Sequence, residues 1–277
     1  MIDKTCLGIP LFDTLMGGVY RNRQVLCWGR AGTGKSTLGL HFVNQALADG
    51  DRALLLSGRR ATDTLIVSES FGMPFAEAVT SGQLTLLEYA NLITEKASSS
   101  NVMLPPQAFM ELQEIIATQS IRRVVLDTVL PWVAIQPTSR LTEHLYSFIH
   151  ALDRLDATVL LTLPKPVSNA AFMLKNKLDD LCPVSIFLDS TPTGERSLRT
   201  TKYLGEVANL EKPVAFAIRS GKGFTAPDPD VPGRKLADSP PQPPTQITAT
   251  PGEAVPPAPG TAARRPIAFS AVIRPPE

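Results

Sequence analysis

A glycine-rich stretch between an apolar run and a helical pattern constrains this chain more than any other feature. Residues 29–36 read GRAGTGKS, which is the P-loop pattern, and they follow the apolar residues 25–28. Residues 35–48 have the apolar spacing of a helix, so the glycine-rich turn connects a strand end to a helix start. This context favours a phosphate-binding loop over a chance match to eight residues.

Phosphate chemistry explains the residue types in the loop. Gly29, Gly32 and Gly34 allow backbone conformations in which successive amide N–H groups point at one anion, and the helix start adds partial positive charge. We expect Lys35 to reach the β- and γ-phosphates of ATP, and the Ser36 hydroxyl to bind the Mg²⁺ that bridges them. The predicted cofactors are therefore ATP and Mg²⁺. The predicted nucleotide-binding residues of the loop are Gly29, Arg30, Ala31, Gly32, Thr33, Gly34, Lys35, Ser36 and Thr37.

The composition fits one α/β domain with an extension. The chain has 277 residues and a formal net charge of +1, which gives no large electrostatic footprint for nucleic acid or anionic membranes. Its three cysteines have neither paired nor metal-type spacing, so we interpret them as reduced thiols and expect a cytoplasmic protein. No apolar run approaches the length that spans a bilayer, and we expect no membrane segment.

A second strand end carries the acid that a nucleotide site of this kind needs. Residues 122–128 read RRVVLDT, which predicts a basic turn, a buried strand and Asp127 at the carboxyl end of that strand. Open α/β sheets bind ligands beyond these strand ends, where Asp127 would hold a water of the Mg²⁺ shell or orient Ser36. An ordinary strand followed by a turn explains the same run when it is taken alone. Its position roughly ninety residues after the P-loop favours a Walker B aspartate.

The segment before the P-loop carries a family pattern. Residues 8–18 contain a first glycine, Phe12-Asp13 and a glycine pair, and residues 24–28 lead into the loop. This arrangement resembles the opening of RecA-superfamily ATPases of the KaiC type, and the resemblance extends to about residue 224. It implies an α/β, RecA-like P-loop NTPase fold, with a mostly parallel sheet between helices and an antiparallel end. It also implies an ATP-binding protein that forms homo-oligomers.

The resemblance assigns roles to two further residues. In related ATPases a polar side chain near the end of a later strand senses the γ-phosphate, and Thr162 matches it, although a β-branched strand residue needs no such role.

Residues 202–205 match the family's Lys-x-Arg-Gly, whose two basic residues reach the γ-phosphate of the neighbouring subunit. Lys202 matches the lysine, but Leu204 replaces the arginine and its forked donor. An ordinary surface lysine is the alternative. The predicted catalytic residues are Lys35, Asp127 and Lys202, and the predicted metal ligands are Ser36 and Asp127.

The resemblance also implies that the acids which activate water in relatives are missing here. In KaiC-like relatives the strand equivalent to residues 53–57 ends in paired glutamates, and counting back from residues 70–72 places Gly58 and Arg59 there. Glu69 and Glu88 are the nearest acids along the chain, but one is predicted on a helix and the other at a strand end away from the P-loop. We therefore expect weak or absent ATP hydrolysis.

Residues 164–177 correspond to a region where recombinase relatives carry DNA-contacting loops. This chain has Lys165, Lys175 and Lys177 there, with Phe172 as a stacking aromatic. The same residues fit an amphipathic helix whose lysines are solvated. DNA binding is therefore an alternative and not the main prediction.

The composition changes after residue 225. Fourteen of the 25 prolines lie in residues 226–277, which we expect to form a disordered proline-rich tail beside an ATP-binding domain of residues 1–225. Apolar residues regroup only at residues 267–273, and we expect this end to bind a protein partner or a neighbouring subunit.

The remaining pattern alternates between strands and helices. Apolar runs predict strands at 53–57, 84–88, 158–163, 184–188, 197–203 and 214–218, and helical spacing predicts helices at 62–71, 75–79 and 141–155. The sequence thus predicts an ATP-binding protein whose nucleotide state controls oligomer assembly or partner binding, with weak or absent hydrolysis. Two alternatives stay open: an active ATPase switch or motor, and an accessory ATPase of DNA recombination or repair.

Overall fold

The computed structural model describes residues 3–90, 106–133, 140–227 and 268–270. The strands are β1 (Lys4–Thr5), β2 (Val19–Tyr20), β3 (Gln24–Gly29), β4 (Arg52–Ser57), β5 (Leu84–Ala90), β6 (Ile121–Asp127), β7 (Thr158–Pro164), β8 (Val184–Ser190), β9 (Arg196–Tyr203), β10 (Val214–Arg219), β11 (Gly223–Thr225) and β12 (Ala268–Ser270). The helices are α1 (Pro10–Met16), α2 (Lys35–Ala48), α3 (Ala61–Ser70), α4 (Phe75–Thr80), α5 (Pro106–Thr118), α6 (Leu130–Val133), α7 (Leu141–Asp153) and α8 (Asn169–Leu181). Within these ranges none of the helices has the length and apolarity needed to cross a membrane. Apart from residues 226–227 and β12, the predicted tail lies outside the described residues.

Ten strands form one sheet in the order β11-β10-β9-β8-β3-β7-β6-β4-β5-β12, and β1 pairs with β2 separately. The strands from β8 to β5 in this order are parallel to one another. At one end β9, β10 and β11 continue the sheet with antiparallel pairing, and at the other end β12 is antiparallel to β5. The predicted mostly parallel sheet with an antiparallel end is confirmed.

Both faces of the central strands are buried. In β3, Cys27 packs in the core on the α2 side, whereas Leu26 packs in the core beneath α7 and α8. Leu55 and Leu54 alternate between the same two cores along β4. Because a strand that is covered on both faces has no solvent-facing positions, it forms a continuous apolar run. This is why the apolar runs located the central strands.

The segment before α1 is held against the P-loop helix α2. The Asp13 carboxylate accepts hydrogen bonds from the backbone N–H groups of Leu7, Gly8 and Ile9 at 2.7, 2.9 and 3.0 Å. Gly8 has a φ of +88°, and a Cβ atom there would lie 2.5 Å from the carbonyl oxygen of His41 on α2. Asp13 therefore fixes the turn before α1, and Gly8 allows that turn to contact α2.

Arg123 connects the start of β6 to the segments around it. It lies in β6 with 1% of its surface exposed, and its guanidinium pairs with Asp49 and, at 3.2 Å, with Asp51. It also donates hydrogen bonds to the Thr5 hydroxyl at 2.5 Å and to the Cys6 carbonyl at 3.1 Å. One side chain thus holds together β6, β1 and the connection between α2 and β4.

The predicted basic turn at residues 122–123 is wrong. β6 begins at Ile121, so both arginines lie within the strand. Arg122 is half exposed and pairs with Asp156, whereas Arg123 points into the protein. A cation inside a strand is tolerated here because two carboxylates and two neutral acceptors surround it.

Replacing Arg123 with methionine should lower the free energy of unfolding by about 3 kcal/mol, because Asp49 and Asp51 lose their shared partner and two further hydrogen bonds are lost. The adjacent Arg122→Met is the matched control. It should cost less than about 1 kcal/mol, since its ion pair is exposed to solvent. Urea unfolding followed by circular dichroism measures both losses. Small and equal losses in the two variants would contradict the role assigned to Arg123.

Candidate nucleotide site

The parallel register brings the predicted site residues to one edge of the sheet. β7 lies between β3 and β6, and Thr162 in β7 is opposite Cys27 in β3. Asp127 ends β6, and the P-loop leaves the same end of β3 at Gly29. The Thr162 hydroxyl donates a 2.6 Å hydrogen bond to Asp127 Oδ1. The strand between the P-loop and the aspartate therefore fixes the orientation of the carboxylate.

Close contacts with neighbouring strands explain two of the loop glycines. A Cβ atom at Gly29 would lie 2.2 Å from the carbonyl oxygen of Leu188 in β8. Gly34 has a φ of +108°, and a Cβ atom there would lie 2.7 Å from Cδ1 of Ile218. Larger residues at either position would displace the loop from the sheet.

Lys35 contacts the loop that it is predicted to serve. Its ammonium donates hydrogen bonds to the carbonyl oxygens of Gly29 and Arg30, at 2.9 and 2.6 Å. Burial lowers the pKa of Lys35, and the acids Cys27 and Asp127 oppose that shift. An ATP phosphate placed in the loop would offer the ammonium a negatively charged acceptor instead of two neutral carbonyls.

The start of α2 fits a bound phosphate. Gly34 is its N-cap residue, and no side chain caps the helix, so the first amides of the helix lack partners within it. Ser36 on this first turn and Asp127 supply a hydroxyl and a carboxylate, the hard oxygen ligands that Mg²⁺ prefers. No group of three His, Cys, Asp or Glu residues that could hold a metal occurs in the described ranges. A Mg²⁺ here would therefore depend on phosphate oxygens and water for its other ligands.

The end of β4 flanks this site without supplying an acid. The N–H of Gly58 donates to the Asp127 carbonyl at 3.3 Å, and the N–H of Arg59 donates to the Ser57 hydroxyl at 3.1 Å. Gly58, Arg59 and Arg60 are all exposed. Glu88 is engaged elsewhere, because its Oε1 accepts the N–H of Ala61 at the start of α3 at 2.6 Å. The exposed residues that follow β4 therefore offer no acidic side chain next to the end of β6.

Lys202 lies near the start of β8, at the ends of the strands that face away from the P-loop. β9 is antiparallel to β8, and Lys202 is opposite Ser185 near the start of β8. Its ammonium donates to the carbonyl oxygens of Asp179 and Asp180, at 2.7 and 2.8 Å, at the end of α8. Lys202 therefore does not belong to the nucleotide site of its own chain, and reaching a phosphate in another copy would require it to leave these two carbonyls.

Sequence reasoning missed the hairpin of β10 and β11 as part of the site. Ile218 and Phe224 from this hairpin contact the Gly34 position, and the N–H of Phe224 donates to Nε2 of His41 on α2 at 2.9 Å. Burial lowers the pKa of His41, which keeps that nitrogen available as an acceptor. The sequence signal that could have revealed this hairpin is a turn with Gly221 and Gly223 between two short apolar runs.

The region aligned with DNA-contacting loops is mostly helical. α8 is capped by Ser168, whose hydroxyl accepts the N–H of Ala171 at 3.3 Å. Lys175 pairs with Asp179 at 3.0 Å and lies over the Trp28 ring. DNA binding by this region stays a sequence-based alternative, because a structured, ion-paired helix gives it no specific support.

The P-loop, the strand-end aspartate and the mostly parallel sheet define a RecA-like nucleotide-binding protein. A family model described as "ATPase: KaiC" matches residues 5–207. This match covers most of the chain, so the chain belongs to the KaiC ATPase family within the RecA superfamily. The family resemblance inferred from the sequence is confirmed.

Two relatives show how far the similarity extends. The chain is 40% identical over 57 residues to the circadian clock protein KaiC2 of Synechocystis sp., a match that covers 20% of this chain and 10% of that protein. The chain therefore matches only a tenth of the length of this curated relative. Its fold is similar to the crystal structure of the KaiC-like protein PH0186 from Pyrococcus horikoshii OT3, with a TM-score of 0.67 and 20% identity, covering 82% of this chain and 100% of that one. This second likeness concerns the fold alone.

Substituting Lys35 with alanine should abolish detectable binding of Mg²⁺-ATP, because the loop loses its full positive charge next to the β- and γ-phosphates. The control is Lys177→Ala, which removes an exposed lysine of α8 and should leave the affinity unchanged. Titration calorimetry compares both variants with the wild type. Unchanged affinity in Lys35→Ala would refute the assignment of the loop.

Proposed function

We propose that this protein binds Mg²⁺-ATP at the carboxyl edge of β3, β7 and β6, and that the bound nucleotide controls its assembly or its choice of partner. The observation that carries the proposal is the Thr162–Asp127 hydrogen bond beside the P-loop. Lys35 and the first amides of α2 bind the phosphates, and Ser36 and Asp127 hold the Mg²⁺ with its water shell. Thr162, on the strand β7 between the P-loop strand and the Asp127 strand, senses the γ-phosphate. The three free cysteines support a cytoplasmic location.

We expect this site to hold ATP with little hydrolysis. The attacking water needs a base that orients it, and the end of β4 offers Gly58 and Arg59 where relatives carry glutamates. Glu88 is occupied by the N–H of Ala61, and Asp127 is oriented by Thr162. Losing the base costs a factor on the order of 10²–10⁴ in rate. Arg59 instead adds a positive charge near the γ-phosphate, which favours the bound triphosphate.

ATP turnover by the wild type should be far below one per second, and Gly58→Glu/Arg59→Glu should increase it by restoring an acid beside Asp127. The structure accommodates this change, because a Cβ atom at Gly58 would meet no atom within 4 Å. Arg60→Glu is the matched control: it changes a neighbouring exposed charge without placing an acid at either position. Phosphate release measures turnover. Wild-type turnover near one per second would favour the alternative, an active ATPase switch or motor.

Assembly is proposed to bring the Lys202 side of the sheet in one copy to the P-loop side in the next. KaiC-like proteins commonly form oligomers, and a head-to-tail contact would bring the Lys202 edge of one copy to the P-loop edge of the next. Lys202 would then exchange two carbonyl acceptors of α8 for a phosphate. Because ATP binds better where both copies contribute, it favours the oligomer over the monomer.

Adding Mg²⁺-ATP should therefore shift the wild type to larger species in sedimentation velocity, since the nucleotide is bound more tightly by the assembly. Lys202→Ala should weaken that shift, whereas Lys212→Ala, which removes an exposed lysine in the following loop, should not. If the protein stays monomeric in every nucleotide state at high concentration, the assembly proposal fails while ATP binding is unaffected.

A further inference from the structure

The ring of His41, on the P-loop helix α2, is held between two segments from opposite ends of the chain. The side chain is buried, and its Nε2 accepts the N–H of Phe224 in β11 at 2.9 Å. A backbone hydrogen bond also joins the ring to Gly8, in the turn before α1. Because Nε2 is an acceptor, the single proton of the neutral ring is on Nδ1, which therefore donates toward Gly8.

The strand that His41 holds is short and lies at the edge of the sheet. β11 is the outermost strand at its end of the order and pairs with β10 over three residues. β10 in turn pairs with β9 over three residues. The turn between β10 and β11 is tied to α3 by a hydrogen bond from the N–H of Gly221 to the Ser70 carbonyl at 2.7 Å. A strand with so short a ladder depends on its side-chain contacts to stay in place.

This hairpin of β10 and β11 packs directly on the P-loop. A Cβ atom at Gly34 would lie 2.7 Å from Cδ1 of Ile218 and 3.2 Å from Cζ of Phe224. Gly34 has a φ of +108° and is the N-cap residue of α2, so its backbone sets the direction of the first helical amides. The hairpin therefore limits how far the phosphate-binding end of the loop can move.

We propose that His41 is a pH-sensitive positioning residue of the nucleotide site, whose neutral ring holds the hairpin on the P-loop and whose protonation releases the hairpin and weakens ATP binding. The step is the uptake of one proton at Nε2. That proton turns an acceptor into a donor that faces the N–H of Phe224, and two donors cannot form a hydrogen bond. The effect on ATP rests on the proposed function, whereas the release of the hairpin does not.

The surroundings of the ring favour its neutral form. Burial lowers the pKa of His41 below its ordinary value of 6.5, and the hydrogen bond with Gly8 opposes that shift. The Asp13 carboxylate, in the turn that contacts the ring, already accepts three backbone N–H groups. The ionisable residues on the surrounding segments are Asp13 on α1, Lys35 and Asp49 at the ends of α2, Asp63 and Glu69 on α3, and Arg219 and Lys222 in the hairpin.

The sign of the pH dependence follows from this shift. A released ring has an ordinary pKa and binds a proton more readily than the packed ring does. The packed hairpin is therefore fully stable above about pH 6.5 and loses stability as the pH falls below that value. Between the two pKa values the opening equilibrium changes by up to about tenfold per pH unit, because one proton is taken up.

Hydrogen exchange on the nucleotide-free protein tests the release without assuming ATP binding. Protection of the Phe224 N–H, corrected for the intrinsic exchange rate at each pH, should fall by up to about tenfold per pH unit below about pH 6.5. His41→Gln should remove this slope, because an amide offers an acceptor and a donor without a titrating group. His150→Gln, which replaces an exposed histidine of α7, should keep the wild-type slope.

Titration calorimetry with Mg²⁺-ATP measures the coupling to the nucleotide site. Between about pH 7.5 and about pH 5.5 the wild type should lose about three- to tenfold more affinity than His41→Gln, because acid populates a released state only in the wild type. The γ-phosphate of ATP and Asp13, whose pKa burial raises, are the same in both proteins. Their titration therefore cancels in the comparison.

Equal exchange slopes in the wild type and His41→Gln overturn the release of the hairpin. Equal losses of ATP affinity in the two proteins overturn its coupling to the site. Absence of ATP binding in both refutes the proposed function and the coupling, whereas a slope in the wild type alone still supports the release. An NMR titration of the wild type needs no variant: a His41 ring that titrates at or above 6.5 overturns the proposal.

Discussion

Parallel pairing of β3, β7 and β6 is the constraint on which the rest of the structure depends. It aligns the carboxyl ends of three strands, so that the P-loop, Thr162 and Asp127 meet at one edge. The hydrogen bond from Thr162 to Asp127 then gives the carboxylate one orientation. A slip of one residue in this pairing would turn Thr162 to the other face of the sheet and remove that bond. The chemistry of the site is therefore a consequence of strand register.

The remaining segments hold this arrangement from several sides. The Asp13 turn packs on α2 through Gly8, and the β10–β11 hairpin packs on the P-loop at Gly34. Arg123 ties the start of β6 to β1 through Thr5 and to the connection between α2 and β4 through Asp49 and Asp51. These contacts together fix the strands that carry the candidate site.

Local patterns located the parts of the molecule whose structure depends on nearby residues. The P-loop was predicted because its glycines and helix start are adjacent, and the central strands because burial on both faces makes them continuous apolar runs. The buried Arg123 was not recognised, because its acidic partners lie 72 and 74 residues earlier in the chain. The contact of Phe224 with the loop was missed for the same reason, as its partner His41 is 183 residues away. Whether Lys202 serves a neighbour depends on a second copy, which neither its spacing nor its contacts with α8 determine.

The central claim is that the edge formed by β3, β7 and β6 binds Mg²⁺-ATP through phosphate and metal contacts together. Calorimetric titration of the unmodified protein with ATP, first with Mg²⁺ and then with EDTA in its place, tests it most directly. The account predicts saturable binding of one nucleotide per chain that weakens clearly when Mg²⁺ is removed, because Ser36 and Asp127 act through the metal. Absence of saturable binding, or an affinity that is the same with and without Mg²⁺, would contradict it.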